Sequence, residues 1–342
     1  MSEIIIRELR EDEIHLWDDI VAQSPQGTIV HEISWLRIIE KHTNSNLHLL
    51  IGCLGSEIIA AIPLFSKKKY FLNGFYSPIS GAMIQHLGPI FPNYDSLKQD
   101  KKEYYFREFC LKLDHYLNSN KKSDFILIET SPNLLDARPF VWNRYDVTPK
   151  YNYVKNIEDL DSTWNDLKKQ IRKNILNCEK NDVEVYEGNL EDYNFIIESL
   201  SRRLSEQEVE LPPSKDYFLD LYHKYYPDNL KIFMAKYDGN PVTGIIATTY
   251  KDKISIWVGA TRTDTKGIYP VDLIQWKIME WGHKMGYKYC EIQGANMPSI
   301  SYFKSRYNFD LEIYYSAKKE NRKVKIALQF KKLYGVVEGL IK

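Results

Sequence analysis

The sequence predicts an α/β fold of two tandem units, each a mixed, mostly antiparallel sheet flanked by helices. Three observations carry the prediction. Asp124–Val147 lies over Gly286–Phe309 at a constant offset of about 162 residues, so that Glu129 falls on Glu291, Arg144 on Arg306 and Tyr145 on Tyr307. Each copy opens on paired apolar, β-branched runs around a turn. Each then runs through an amphipathic helix, a strand, a proline-bearing loop and a short helical piece, an order that lays helices on a sheet.

The first copy's paired strands read NLHLLIGCLGSEIIAAIPLF (46–65), and the second copy's NLKIFMAKYDGNPVTGIIATTY (229–250). Asp238-Gly239 supplies the residues that a tight hairpin turn demands. Helices are expected near 103–118 and 271–285, strands at FILIE (125–129) and YKYCE (287–291), and loops at Pro132 and Pro298. Between the copies, WNDLKKQIRKNILNCEK places Trp164, Leu167, Ile171 and Ile175 at spacings of three and four, which predicts one helix with an apolar stripe. Its Lys168, Lys169, Arg172 and Lys173 form a basic face, whose plain reading is a solvated surface and whose functional reading is a phosphate contact. The expected division is 1–152, 153–317 and a basic amphipathic C-terminal helix over 318–342, packed on the second domain or resting on an anionic membrane.

With 46 basic and 46 acidic residues the chain has no global field, which argues against a protein whose main work is coating nucleic acid. The four cysteines lie far apart with no C-x-x-C pair, so a metal site or disulfide framework is not expected and a reducing cytosol is the simplest home. The N-terminus has no apolar signal core and no stretch is long enough to cross a bilayer, so the expected location is cytoplasmic. The eight histidines show no H-x-x-x-H spacing, and no G-x-S-x-G elbow is present, so neither metal hydrolysis nor serine-nucleophile chemistry is supported.

One stretch of the second copy stands out. SYFKSRYNFD (301–310) sets Lys304 beside Phe303, where the first copy has Trp142 and Val141. A solvated face explains a lysine without function. The contrast between the copies favours a cation placed for chemistry, because an ammonium beside a reacting carbonyl stabilises the oxyanion formed in acyl transfer. A neighbouring ring would hold it by a cation–π contact. Glu291, at the end of the preceding strand, is the nearest candidate for a general base. Its counterpart Glu129 occupies the same place in the copy lacking the lysine, which favours a structural role for both.

These residues bring a family into view. The run 254–315, with Gly-Ala after a strand, Tyr-Pro, a helix containing Leu-Ile-Gln-Trp, a strand ending near Gln-Gly and then Phe-Lys, resembles the Fem-type, peptidoglycan-bridge-forming branch of the GNAT superfamily, the FemAB-like acyltransferases. The helix bearing Trp164, Leu167 and Arg172 resembles the one that begins the family's second unit, and HEISWLRIIEK (31–41) the tryptophan-bearing helix of the first. The resemblance implies two tandem GNAT-like domains that transfer an acyl or aminoacyl group to an amine. It implies the oxyanion role for Lys304, with Phe303 beside it.

GNAT enzymes hold CoA pyrophosphate on the N–H groups of a glycine-rich turn at a helix start. The matching stretch, Arg262-Thr-Asp-Thr-Lys-Gly-Ile-Tyr-Pro270, has Gly267 but no second close glycine, and Pro270 lacks an N–H. Arg262, Lys266, Gly267 and Arg172 are the donor-binding candidates, and the donor is an aminoacyl-tRNA or an acyl-CoA, with no tightly bound cofactor. Trp35, Trp257, Tyr269, Gln293 and Arg306 are the candidates for an amine-bearing small molecule or glycan precursor. Ile33 stands where some relatives carry a basic residue for a nucleotide diphosphate, and Arg202 and Arg203 are further phosphate candidates. The leading expectation is amide formation on an envelope- or glycan-related amine. The alternatives are transfer from acyl-CoA to an amino sugar or other small amine, and a catalytically silent module that binds a glycan or protein.

Overall fold

A computed structural model describes residues 3–69, 71–206, 214–260, 265 and 267–326, with the side chain of Ser299 left aside. In chain order its strands and helices are β1 (Ile4–Glu8), α1 (Trp17–Gln23), α2 (Ile33–Thr43), β2 (Asn46–Leu54), β3 (Glu57–Lys69), β4 (Leu72–Ser77), α3 (Gln99–Ser119), β5 (Phe125–Glu129), α4 (Arg138–Trp142) and β6 (Asp146–Asn156). They continue with α5 (Leu160–Asp166), α6 (Lys169–Lys180), β7 (Glu184–Glu187), α7 (Leu190–Glu206), α8 (Lys215–Tyr225), β8 (Leu230–Tyr237), β9 (Asn240–Tyr250), β10 (Lys253–Gly259), α9 (Pro270–Lys284), β11 (Tyr289–Ile292), α10 (Pro298–Lys304) and β12 (Asp310–Glu320).

The chain forms two compact units. Unit 1 comprises Met1–Lys150 and Ile313–Lys342, and unit 2 comprises Tyr151–Glu312. In unit 1 the strands run in the order β1-β2-β3-β4-β5-β12, and in unit 2 in the order β7-β8-β9-β10-β11-β6. Neighbours are antiparallel except β4 with β5 and β10 with β11, which are parallel. The two units thus repeat one topology of six strands. Hairpin chemistry sets the register at each start: Asp238 (φ 48°) and Gly239 (φ 78°) both take the left-handed conformation that a two-residue turn needs.

Sequence order misleads at the sixth strand. Each copy ends on a strand, β6 or β12, that would be expected to close its own sheet. Instead Ser316–Glu320 of β12 pairs with Phe125–Glu129 in unit 1, while Tyr153–Asn156 of β6 pairs with Tyr289–Ile292 in unit 2. The units break at Lys150/Tyr151 and Glu312/Ile313, close to the expected 152/153 and 317/318, but the chain from Ile313 onward belongs to unit 1. Burial follows the pairing, with Ala317 in the unit 1 core beside Phe106 and Ile128, and Tyr153 in the unit 2 core beside Ile254 and Cys290.

Two further expectations change. The helix expected through Trp164–Ile175 is broken, because Leu167 (ψ 137°) and Lys168 (ψ 139°) are extended. Leu167 remains buried and the Lys168 N–H donates to the Arg306 carbonyl at 3.3 Å, so a contact outside the helix replaces the helical bond. The C-terminal segment begins as strand, since β12 holds residues 318–320. Its next turn docks on unit 1, where Asn321 donates to Asp124 at 2.6 Å and Val324 is buried, rather than on the second unit. Residues 327–342 lie outside the described part.

The cores are aromatic and aliphatic, and the four cysteines are reduced and buried. Among the described residues no helix is long and apolar enough to cross a membrane.

Candidate active site in unit 2

In unit 2, β10 and β11 pair in parallel from Lys253↔Tyr289 to Ile256↔Ile292, with α9 between them in the chain. That pairing stops where β11 ends at Ile292, the register of β10 against β9 shifts between Ile256 and Val258, and β10 continues to Gly259 against β9. The strands therefore part at their carboxyl ends. Crevices of this kind, outside the ends of parallel strands, are where α/β sheets receive ligands.

Lys304 occupies this place. Its Nζ donates to the carbonyl oxygen of Gln293, the first residue beyond β11. The ammonium is partly buried, and among the described residues no carboxylate pairs with it. Burial, with a smaller contribution from the Arg203 guanidinium, lowers its pKa to about 8. A cation held this way retains unused attraction for a developing negative charge.

The ring beside it serves another partner. Arg306, not Lys304, lies over the Phe303 face, 4.9 Å from its centroid, and its Nε donates to the Phe303 carbonyl at 3.4 Å. The expected cation–π contact exists with the cation two residues further on. Around the lysine, Met297, Tyr302 and Phe303 expose apolar surface, Tyr302 to 80%.

The other candidates divide. Trp257, on β10, is half-buried with its ring 5.9 Å from that of Phe218, and Tyr269 is partly exposed at the position preceding α9. Gln293 takes part through its backbone carbonyl. Arg172 donates to Asn165 O at 3.4 Å from the first turn of α6, next to the Lys168–Arg306 contact. Gly267 is exposed with φ 91°, a true turn glycine. Arg262 and Lys266 lie outside the described residues. Trp35 is a correction: on the same face of α2 as Leu36 and Ile39, it is fully buried in unit 1 and presents no platform.

Glu291 is buried and committed. It accepts from Asn152 Nδ2 at 2.9 Å and Ser255 Oγ at 3.2 Å, and lies 3.6 Å from Lys253, which also bridges to Glu312 at 3.3 Å. Burial opposes the Lys253 charge, yet the two carboxylates outweigh it and raise its pKa. Glu129 has the same kind of surroundings, with Lys150 at 2.7 Å and Ser316 at 3.2 Å. Both glutamates are structural.

Sequence reading missed Asp272. This first-turn residue of α9 is only 1% exposed, with one oxygen accepting from Tyr307 OH and the other from Asn174 Nδ2 at 2.6 Å. An aspartate two residues after Tyr-Pro looks like an ordinary helix-start acid. Only the fold brings its partners to it.

Unit 1 offers an internal comparison. Its parallel strands β4 and β5 end at Ser77 and Glu129, and the space beyond is taken by its own chain. Leu87 N–H donates to Glu129 O at 2.9 Å, Gly88 N–H to Ser77 Oγ at 3.0 Å, and Ile90 bridges to Ala61. Opposite Lys304 in the repeat stands Trp142, exposed with Arg138 over its ring at 5.5 Å.

Residues 165–305 match the family model described as an acetyltransferase (GNAT) domain. That match lies within unit 2. The whole chain has the fold of FemX, with a TM-score of 0.68 at 11% identity over 94% of this chain and 99% of that one. The C-terminal domain of a putative lysylphosphatidylglycerol synthetase from Agrobacterium fabrum is similar over 96% of this chain and 99% of its own, with a TM-score of 0.56 and 12% identity. A tandem GNAT protein from the clavulanic acid biosynthesis pathway follows, with a TM-score of 0.52 and 10% identity over 93% of this chain and 98% of that one. No curated protein matches the chain. Two tandem GNAT-like units are the architecture of this protein.

Proposed function

We propose that unit 2 transfers an aminoacyl group from an activated ester to an amine, with Lys304 stabilising the oxyanion. The observation that carries the reading is the partly buried ammonium of Lys304, paired with no carboxylate among the described residues, at the parting ends of β10 and β11. The acceptor nitrogen attacks the acyl carbonyl, and the carbonyl oxygen takes negative charge beside Lys304. The tetrahedral adduct then collapses to an amide as the ester C–O bond breaks. The leaving oxygen receives a proton, and the attacking nitrogen loses one.

An aminoacyl ester suits the site better than a CoA thioester. A pyrophosphate needs free N–H donors at the start of α9, yet Pro270 has none and the Asp272 N–H is bonded to Tyr269 O at 3.0 Å. The Asp272 carboxylate already supplies negative charge to that helix end. Basic side chains lie instead at the start of α6 beside Arg306, where a phosphate backbone would be attracted. Exposed Tyr302 offers a face for a sugar ring, which fits an envelope or glycan precursor as acceptor. FemX and the lysylphosphatidylglycerol synthetase domain, similar in fold, are consistent with this class.

Two measurements test the reading. The intact protein should bind charged tRNA with an affinity that falls steeply between low and physiological salt, and should bind CoA thioesters weakly. Tight CoA binding would replace the donor. On the substrate pair so identified, Lys304→Met should lower turnover roughly 100- to 1000-fold with ligand binding kept. Undiminished turnover would remove Lys304 from the mechanism.

A further inference from the structure

The segment that carries Lys304 is pinned at both ends. At its start, Tyr153 OH and Ser301 Oγ share a hydrogen bond of 2.8 Å. At its end the Arg306 carbonyl accepts from Lys168 N–H at 3.3 Å, and the next residue, Tyr307, donates its hydroxyl to Asp272. Tyr307 is fully buried, and its ring meets those of Phe303 and Phe309 edge-on at 5.9 and 6.3 Å. Asp272 also accepts from Asn174, whose own oxygen accepts from Gln170 at 2.8 Å, so the chain of bonds reaches α6.

Unit 1 has a related anchor with a different charge arrangement. Tyr145, opposite Tyr307 in the repeat, donates to Asp114 at 3.2 Å, and Lys319 neutralises that carboxylate at 2.7 Å. Asp272 has two neutral partners and, among the described residues, no cation. A buried carboxylate without an ion pair is costly, and hydrogen bonds to a charged acceptor are about twice as strong as neutral ones. A clamp that only joined α9 to the following segment would be served equally well by the unit 1 arrangement. The cation-free form holds the Tyr307 hydroxyl strongly without adding a further positive charge to a site that already holds Lys304, Arg203 and Arg306.

We propose that Asp272, fixed by Asn174, positions Lys304 through Tyr307, setting the turn that aims the ammonium at the parting ends of β10 and β11. These are positioning residues, and the proposal rests on the functional reading of Lys304 given above.

The test is a titration that needs no substrate. In the full chain, the ionisation of Lys304 is followed by competitive amine labelling across pH, with mass spectrometry of the peptide that contains it. Guanidinium groups do not titrate over that range, so a moved midpoint reports the surroundings of Lys304 itself. The wild-type midpoint should lie near 8. Tyr307→Phe should loosen the turn, admit water and move the midpoint upward by roughly one unit or more, with faster amide exchange over residues 301–307. Asp272→Asn, which keeps the size and an acceptor oxygen, should move it the same way by less. Tyr145→Phe is the control and should leave the midpoint in place. If Tyr307→Phe and Asp272→Asn lower thermal stability while the midpoint stays near 8, the anchor is structural only and the proposal fails. Because no turnover enters, loss of the catalytic reading through an active Lys304→Met protein would be a separate result.

Discussion

At the scale of single residues, the chemistry turns on one ammonium whose surroundings oppose its charge. Burial, then Arg203, brings the Lys304 pKa down to about 8, below the ordinary 10.5. Below pH 8 both the folded and the unfolded chain carry the charge, and the folded chain bears the cost of desolvating it. Between about 8 and 10.5 the unfolded chain binds more protons than the folded one, so this residue makes stability rise with pH across that window. Activity should move the opposite way. If the cation is the active form, turnover falls through a single limb centred near pH 8, and a rate profile on the identified substrate pair checks it. Lys304→Arg should weaken turnover and remove that limb, because a guanidinium does not titrate there. A limb that stays at the same pH in the arginine variant would assign it to another group. The sequence made Lys304 legible through its contrast with Trp142 in the repeat. It did not reveal which cation covers Phe303, because Lys304 adjoins the ring in the chain while Arg306 stands three residues on, and only the turn over Ser305–Tyr307 brings the more distant one over it.

At the scale of elements, the ends of the two parallel strand pairs show how one topology is furnished differently in each unit. The paired strands, the long helices α3 and α9, and the β5 and β11 strands could all be read from periodicity and turn residues, since these are local properties. The break between α5 and α6 could not, because the bond that replaces the helical one comes from Arg306, far along the chain. Nor could the filling of the unit 1 crevice, which depends on a glycine. Gly88 has φ 75°, and a Cβ there would lie 2.8 Å from the Thr130 Cα, against backbone that cannot turn aside. Gly88→Ala should therefore cost unit 1 about 1–3 kcal/mol. The change should be read as an earlier thermal transition, with faster amide exchange at Leu87 and Ile90. An unchanged transition would mean that residues 87–90 are not held against β4 and β5 as described.

At the scale of the whole molecule, the exchange of sixth strands makes the two units dependent on one another for their folding. Unit 1 uses a strand made last, and five backbone pairings from Ser316↔Glu129 to Glu320↔Phe125 close its sheet. Without them β5 becomes an open edge beside a core that has also lost Ala317, which is fully buried. Residues 1–150 expressed alone should therefore aggregate or unfold without a cooperative transition. The same fragment joined through a flexible linker to residues 310–326 should regain one, since the added piece restores the strand and the Asn321–Asp124 contact. Near-UV circular dichroism and denaturant unfolding of the two fragments decide the matter. A cooperative, monomeric 1–150 fragment would show that unit 1 closes its sheet without β12, and that the exchange is a convenience of the full chain rather than a requirement of the fold.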